Sequence, residues 1–251
     1  MMDVSFNFYV EVAKMRIKKF GLAVSFCGFA IAGVAADQPP SKVQSVTTAE
    51  LVEANNAELS PLMLASRQGN VDTVKALIAA GDDVNARDKN GVSALMIAAR
   101  NGQKDVVKFL LDHKADINNR NNGGGDALYW ASENGRTAVV KILLERGAKI
   151  NAKSNFGHTA LMIASRVGKT DTAKLLLENG ADVAARDENG ETALSQAAGG
   201  GWLDIVKALV EHGADITVKN TLGSTPLLIA SAKGKTEVVN YLSGFKTQPN
   251  K

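Results

Sequence analysis

Three histidines and two glycine triplets are the residues in this chain with the clearest potential for catalysis or ligand binding. His113 and His212 occupy the same place in a 33-residue period, three periods apart. With layers of helices about 10 Å apart, these imidazoles would lie roughly 30 Å from each other and could not share a metal ion. His158 falls in a turn that lacks cysteines or carboxylates at metal-ligand spacing. The sequence therefore predicts no metal site and no cofactor.

The glycine triplets 123–125 and 199–201 could be mistaken for phosphate-binding loops. Neither lies between a predicted strand and a helix, which is the setting that a phosphate cradle requires. The 33-residue period already accounts for Gly124 and Gly201. The single cysteine, Cys27, excludes a disulfide scaffold and a multi-cysteine metal site. We accordingly predict no catalytic residue and a protein that is not an enzyme.

The period itself organises most of the chain. Six leucines lie 33 residues apart, and each is followed by an alanine three residues later, a glycine seven residues later and a second leucine fifteen residues later. Such self-similarity is typical of a repeat architecture, in which each unit is one supersecondary element. The six leucines are Leu62, Leu95, Leu128, Leu161, Leu194 and Leu227.

Each unit predicts two helices. A Ser, Thr or Asp two residues before the leucine can cap a first helix, and the glycine seven residues after the leucine can end it. A second helix follows with an apolar stretch such as VKALI or VKFLL, and about ten residues of turn-forming sequence lead to the next unit. The expected fold is all-α, with the two helices of each unit packed against those of its neighbours.

These units resemble ankyrin repeats. The likeness rests on Thr225-Pro226-Leu227 and on the Gly-Ala-Asp sequences at 180–182 and 213–215, and it covers residues 57–243. It implies an all-α solenoid of stacked helix-turn-helix units with β-turn or hairpin tips. The histidine that usually follows the family's leucine is replaced in every unit, and Lys114 stands where four other units have glycine.

The amino-terminal residues predict an export signal. Basic residues at 16, 18 and 19 precede the apolar stretch 20–34, and Val34 and Ala36 form a small-x-small cleavage site. Fifteen apolar residues are fewer than the ~20 that cross a bilayer, so we expect cleavage after Ala36 rather than a stable membrane anchor. Met15 is the expected true start. The predicted organisation is a signal peptide at 1–36, a leader and capping helix at 37–56, the repeat domain at 57–243 and a tail at 244–251.

Charge and the repeat pattern together indicate the kind of partner. Lys and Arg number 29 against 26 Asp and Glu, so a net charge of +3 does not suggest nucleic acid. Arg67, Arg100 and Arg166 share one repeat position, and this row is interrupted by Glu133. A basic row suggests an acidic patch on another protein, although a solvated helix end is an equally simple interpretation.

Family resemblance implies that partners contact the tips and the exposed ends of the first helices. Phe156 is an aromatic residue at a tip where other units have Asn or Gly, so it predicts either a binding anchor or a ring folded back on its own turn. Trp202 is expected to cover the neighbouring helix or to mark a contact. The predicted partner-binding residues are Arg67, Arg100, Tyr129, Glu133, Asn134, Phe156, His158, Arg166 and Val167.

Three functions are compatible with an exported binding array. The first is a periplasmic protein that binds and inhibits an exported enzyme such as a cell-wall hydrolase, in an immunity or self-protection role. The second is a non-inhibitory periplasmic scaffold or oxidative-stress accessory. The third is a secreted effector directed at a host. The sequence places the first ahead of the others and locates the protein in the periplasm, with secretion as the alternative.

Overall fold

The computed structural model describes residues 59–245. The predicted signal peptide, the leader and capping helix, Met15 and Cys27 lie outside the described residues, as do residues 246–251 of the predicted tail. Residues 59–245 form twelve helices of seven to nine residues. In this part of the chain no helix has the length and apolar character needed to cross a bilayer.

The helices alternate between a first and a second helix in each unit. Each first helix packs against the first helices of the neighbouring units and against the second helix of its own unit, which confirms the predicted all-α repeat solenoid. The first helices are α1 (Pro61–Gln68), α3 (Ala94–Asn101), α5 (Ala127–Glu133), α7 (Ala160–Val167), α9 (Ala193–Gly200) and α11 (Pro226–Ala232). The second helices are α2 (Val71–Ala79), α4 (Lys104–Asp112), α6 (Thr137–Glu145), α8 (Thr170–Glu178), α10 (Leu203–Glu211) and α12 (Thr236–Gly244).

Side-chain caps begin all six first helices. In each, the oxygen of the capping residue accepts a hydrogen bond from the backbone N–H three residues later, which satisfies a donor that the helix cannot. The predicted glycine stop follows at the other end, as at Gly69 with φ 77° and Gly102 with φ 80°. The caps are Ser60, Ser93, Asp126, Thr159, Thr192 and Thr225.

Lys114 is the only non-glycine residue with a positive φ among residues 59–245, at 68°. Its counterparts in other units are glycines, with φ of 102° at Gly81 and 86° at Gly147. The chain therefore uses the left-handed conformation after the second helix even where the residue carries a side chain. This conformation costs a non-glycine residue roughly 1–2 kcal/mol.

The core lies between the helix layers. The periodic leucine of the first helix is buried in units one to five, and that of the second helix is buried in units two to six. Met63, Met96 and Met162, which replace the family's usual histidine, are also buried. In these units a buried methionine side chain thus takes the place of the family's histidine.

Hydrogen bonds join successive units at the tips. The backbone N–H of Asn122 donates to the carbonyl of Asn90 at 2.9 Å, and that of Asn155 donates to the carbonyl of Gly123 at 3.0 Å. The Arg87 guanidinium donates both to Gly91 within its own tip and to the carbonyl of Arg120 in the next. These bonds fix the spacing between tips.

A second series of hydrogen bonds links the units where each second helix leads into the next tip. Asn85 Oδ1 accepts the backbone N–H of Asp116 at 2.8 Å, and Asn151 Oδ1 accepts that of Asp182 at 2.9 Å. Ala184 occupies the same repeat position one unit later and has no side-chain oxygen. The series is therefore interrupted between units five and six.

Candidate partner-binding surface

Five of the predicted binding residues form one connected group, which we call the central cluster: Arg100, Tyr129, Glu133, His158 and Arg166. Arg100, Glu133 and Arg166 lie at the carboxyl-terminal ends of α3, α5 and α7, whereas Tyr129 lies in the first turn of α5 and His158 in the tip before α7. The 33-residue period brings them together because equivalent positions in stacked units lie side by side.

The Arg100 guanidinium lies over the indole of Trp130, with its central carbon 4.9 Å from the ring centroid. A cation at this distance is attracted to the negative face of the ring. The indole is partly buried, and its side-chain nitrogen is shielded from solvent without a protein hydrogen-bond partner. The indole of Trp130 thus packs against one face of the Arg100 guanidinium.

Glu133 is the carboxylate of the cluster and interacts with the charges of Arg100 and Arg166. Burial raises the pKa of Glu133 above its ordinary value, and the two guanidinium groups oppose that rise. Burial therefore has the greater effect. Glu133 thus places a partly desolvated carboxylate between Arg100 and Arg166 in the predicted row of arginines.

Tyr129 is half-buried, and its hydroxyl interacts electrostatically with the Arg166 side chain. Burial raises the pKa of Tyr129, the charge of Glu133 raises it further, and Arg166 acts in the opposite direction. The phenol is therefore neutral at physiological pH and interacts with an exposed guanidinium.

His158 faces the Asp187 carboxylate, with 3.3 Å between Nε2 and Oδ2. Burial lowers the pKa of His158, and the charge of Arg166 lowers it further despite the opposing effect of Asp187. The imidazole is therefore uncharged at neutral pH and donates its Nε2 proton to the carboxylate. This pair joins the tips of units four and five.

Asp187 and Gln196 are members of the surface that the sequence reasoning missed. The buried Asp187 carboxylate accepts the backbone N–H groups of Asn189 at 2.8 Å and Glu191 at 2.9 Å. The Gln196 amide donates to Asp187 at 3.4 Å and to Glu191 at 2.7 Å. The period could have revealed Asp187, because residues 88, 121 and 220 make the same tip contacts at the same repeat position.

Phe156 stands at the edge of the cluster and is 49% exposed. Its ring centroid is 6.4 Å from that of His158, and the two rings are tilted by 42°. Its backbone carbonyl accepts the N–H of Glu188 at 3.2 Å, so the residue is tied to the next tip through its main chain. About half of Phe156 is therefore exposed to solvent, while a hydrogen bond to the next tip restrains its backbone.

The other three predicted residues have positions apart from these contacts. Arg67 lies at the end of α1, where its carbonyl accepts a hydrogen bond from Gln103 at 3.0 Å. Asn134 ends α5, and its side-chain amide donates to the Trp130 carbonyl at 2.9 Å. Val167 is the half-buried last residue of α7. The Asn134 side chain therefore hydrogen-bonds to a carbonyl at the end of its own helix.

The remaining histidines lie at the ends of second helices. The Nδ1 atoms of His113 and His212 lie 2.9 and 2.8 Å from carbonyls four residues earlier, which places each ring against its own helix. Across residues 59–245, no three His, Cys, Asp or Glu side chains gather closely enough to hold a metal ion.

Comparison with known proteins bears on both the fold and this surface. A search of curated proteins finds no match to the chain. The family model described as ankyrin repeats matches residues 39–121, 62–154, 119–187 and 161–251. These overlapping matches span more than half of the sequence and include every element described above. The chain belongs to the ankyrin-repeat family, and its repeats form a module for interaction with another protein.

Proposed function

We propose that this protein is exported to the periplasm, where it binds and inhibits another exported protein such as a cell-wall hydrolase. The predicted signal peptide supports the location, and an array of repeats supports the binding of a protein. Inhibition is compatible with such a contact, because a repeat array that buries a standard-sized interface can cover an enzyme's substrate entrance.

Phe156 beside the central cluster is the observation that carries this proposal. An aromatic side chain that is 49% exposed brings a large apolar area to an interface. Its own backbone is bonded to the next tip, and its neighbour His158 is paired with Asp187. Binding therefore orders few side chains, which reduces the entropic cost of association.

The charges of the cluster favour an acidic surface on the partner. Arg100 lies over the indole of Trp130, and the exposed Arg166 guanidinium interacts with Tyr129 and Glu133. Glu133 is the carboxylate between them, and burial disfavours its charged form. A carboxylate from the partner would meet two guanidinium groups from neighbouring units, and these can form charge-assisted hydrogen bonds with it.

The test begins with capture from a periplasmic extract. The chain from residue 37 onward is immobilised, the bound proteins are identified, and the activity of each is measured against increasing concentrations of the chain. We expect one captured enzyme to lose activity in proportion to occupancy. Full activity at saturating occupancy would contradict inhibition.

Two variants test the surface in the same experiment. Phe156→Ala should reduce capture, whereas Leu222→Ala should not. Leu222 is 86% exposed and occupies the same repeat position two units later, so the control removes an exposed apolar side chain outside the cluster. Equal capture by Phe156→Ala and the parent would exclude Phe156, at the edge of the cluster, as the binding anchor.

A further inference from the structure

Trp202 is a large aromatic residue at a repeat position where the other units have polar residues. Like its counterparts Gln103 and Arg136, it donates a hydrogen bond to a carbonyl of the first helix in the preceding unit. In Trp202 the donor is Nε1 and the acceptor is the carbonyl of Arg166, at 3.2 Å. That bond does not need an apolar ring, and 41% of the residue is exposed. The indole therefore requires a further explanation.

One face of the indole lies on Gly168. A Cβ atom added at Gly168 would lie 2.6, 2.7 and 2.8 Å from Cε2, Cδ2 and Cζ2 of Trp202. Nearly equal distances to three consecutive ring atoms place that point above the ring and not at its edge. The ring therefore lies flat on the end of α7, and its opposite face accounts for the exposure of the residue.

A second glycine provides space for the ring. A Cβ atom at Gly200 would collide with Nε1 of Trp202. Gly200 is the last residue of α9 and has no positive φ that requires glycine. Glycine in a helix is less stable than a residue with a side chain, and the other units have Gln, Asn, Val or Lys at this position. The unit with the indole is thus the one with the glycine that accommodates it.

Charges of both signs surround the exposed face of the indole. The starts of α6, α8, α10 and α12 carry three cations at capping positions and three carboxylates in first turns. These residues are Arg136, Lys169 and Lys235, and Asp171, Asp204 and Glu237. Because the two sets balance, a strongly charged ligand would gain little net attraction here. The surroundings favour an uncharged ligand that carries many hydrogen-bonding groups.

A polar groove adjoins the indole at Gly168. The groove has a volume of about 310 Å³, and Gly168 is one of its lining residues together with Thr137, Lys169, Thr170 and Asp171. A hydroxyl can both donate and accept hydrogen bonds, an ammonium donates, and a carboxylate accepts. The groove therefore offers donors and acceptors beside an apolar ring face, in a volume at the lower end of the range for small-ligand sites.

We propose that Trp202 and this groove bind an uncharged oligosaccharide, with one sugar ring stacked on the exposed face of the indole and a neighbouring sugar in the groove. A pyranose whose substituents are all equatorial has a flat face of weakly positive C–H groups, which matches the negative face of an indole. Its hydroxyls are donors and acceptors, as the groove requires. The inference does not rest on the proposed function, because this ligand would lie outside the central cluster.

Two tetrasaccharides test the inference on the protein labelled with fluorotryptophan. Cellotetraose consists of β-1,4-linked glucose with equatorial hydroxyls, and β-1,4-mannotetraose differs from it in axial 2-hydroxyls that interrupt the flat C–H face. The variant Trp202→Phe distinguishes the fluorine resonance of Trp202 from that of Trp130, since the chain has two tryptophans. We expect cellotetraose to shift the Trp202 resonance with a Kd of about 1 mM and to bind about fivefold more tightly than mannotetraose. Its affinity should be the same at about 50 and about 500 mM salt, because the ligand is uncharged.

Variants measured by titration calorimetry separate the ring from the rest of the fold. Trp202→Ala should weaken cellotetraose binding at least ~10-fold. Trp202→Phe retains a smaller ring and should bind with intermediate affinity, which distinguishes loss of the ring from loss of the fold. Gly200→Ala should weaken binding by displacing the indole. The matched control is Phe156→Ala, which removes another exposed aromatic side chain and should bind cellotetraose like the parent.

Three outcomes would overturn the inference. The first is no shift of the Trp202 resonance with cellotetraose up to about 20 mM. The second is an affinity for cellotetraose that is unchanged in Trp202→Ala or reduced equally in Phe156→Ala. The third is tighter binding of a tetraglutamate or tetralysine peptide than of cellotetraose, which would assign the site to a charged segment of a protein. Capture of a protein through Phe156 is measured separately, so either result can fail without the other.

Discussion

Replacement of Lys114 by glycine should stabilise the array. Lys114 has φ 68°, whereas glycines occupy the equivalent positions in four other units. Relief of the left-handed conformation gains roughly 1–2 kcal/mol. The greater freedom of glycine in the unfolded chain removes about 0.4–1 kcal/mol of this. The net expectation is an increase of about 1 kcal/mol in the free energy of unfolding, because the local backbone hydrogen bonds remain: Lys114 donates to Leu111 and accepts from Asn85.

Urea unfolding followed by circular dichroism measures this difference. Lys114→Ala distinguishes the cost of the left-handed backbone from any contact of the lysine side chain. Alanine retains most of the backbone cost, so the free energy of unfolding should rise little. Lys108→Gly places glycine inside α4 and should cost about 1 kcal/mol. If Lys114→Gly is no more stable than the parent and Lys114→Ala is weaker, the lysine side chain makes a compensating contact and the backbone argument fails.

Three other perturbations test the fold and the tip pairing. Ala184→Asn should restore the interrupted hydrogen-bond series and raise the free energy of unfolding by about 0.5–1.5 kcal/mol, and no gain would contradict the role given to this series. Leu143→Ala in a central unit should cost ~2–5 kcal/mol, and Leu242→Ala in the sixth unit less; equal costs would argue against a one-dimensional array. Since the folded-state pKa of His158 lies below its ordinary 6.5, the unfolded chain takes up the proton more readily, so stability falls as pH decreases through that value. The stability advantage of the parent over His158→Gln should therefore shrink between about pH 7.5 and about pH 5.5, and a constant difference would refute the direction of this pKa shift.

The fold could be predicted from the sequence because the same physical requirement recurs in every unit. A capping side chain such as Thr159, a buried leucine such as Leu161 and a left-handed glycine such as Gly168 each meet a local need, and the 33-residue period repeats all three. The same period predicts that Lys114 occupies a glycine's place, and its positive φ confirms this.

The candidate site could be predicted only in part. Positions follow from the period, so the sequence predicts that Tyr129 and Arg166 share one surface, but the interaction of their side chains depends on side-chain directions that one sequence does not specify. The pairing of His158 with Asp187 crosses two tips, and Asp187 also serves as the cap of its own tip. The packing of Trp202 depends on Gly200, a glycine at a repeat position where no other unit needs one.

Titration calorimetry between the chain and its captured partner tests the central claim most directly. Because a buried aromatic anchor contributes about 2 kcal/mol, Phe156→Ala should weaken binding at least ~30-fold. Its urea midpoint should stay close to that of the parent, since half of the side chain is already exposed. Leu222→Ala should bind like the parent. An unchanged affinity in Phe156→Ala, or an equal loss in Leu222→Ala, would contradict the assignment of partner binding to Phe156 and the adjoining central cluster.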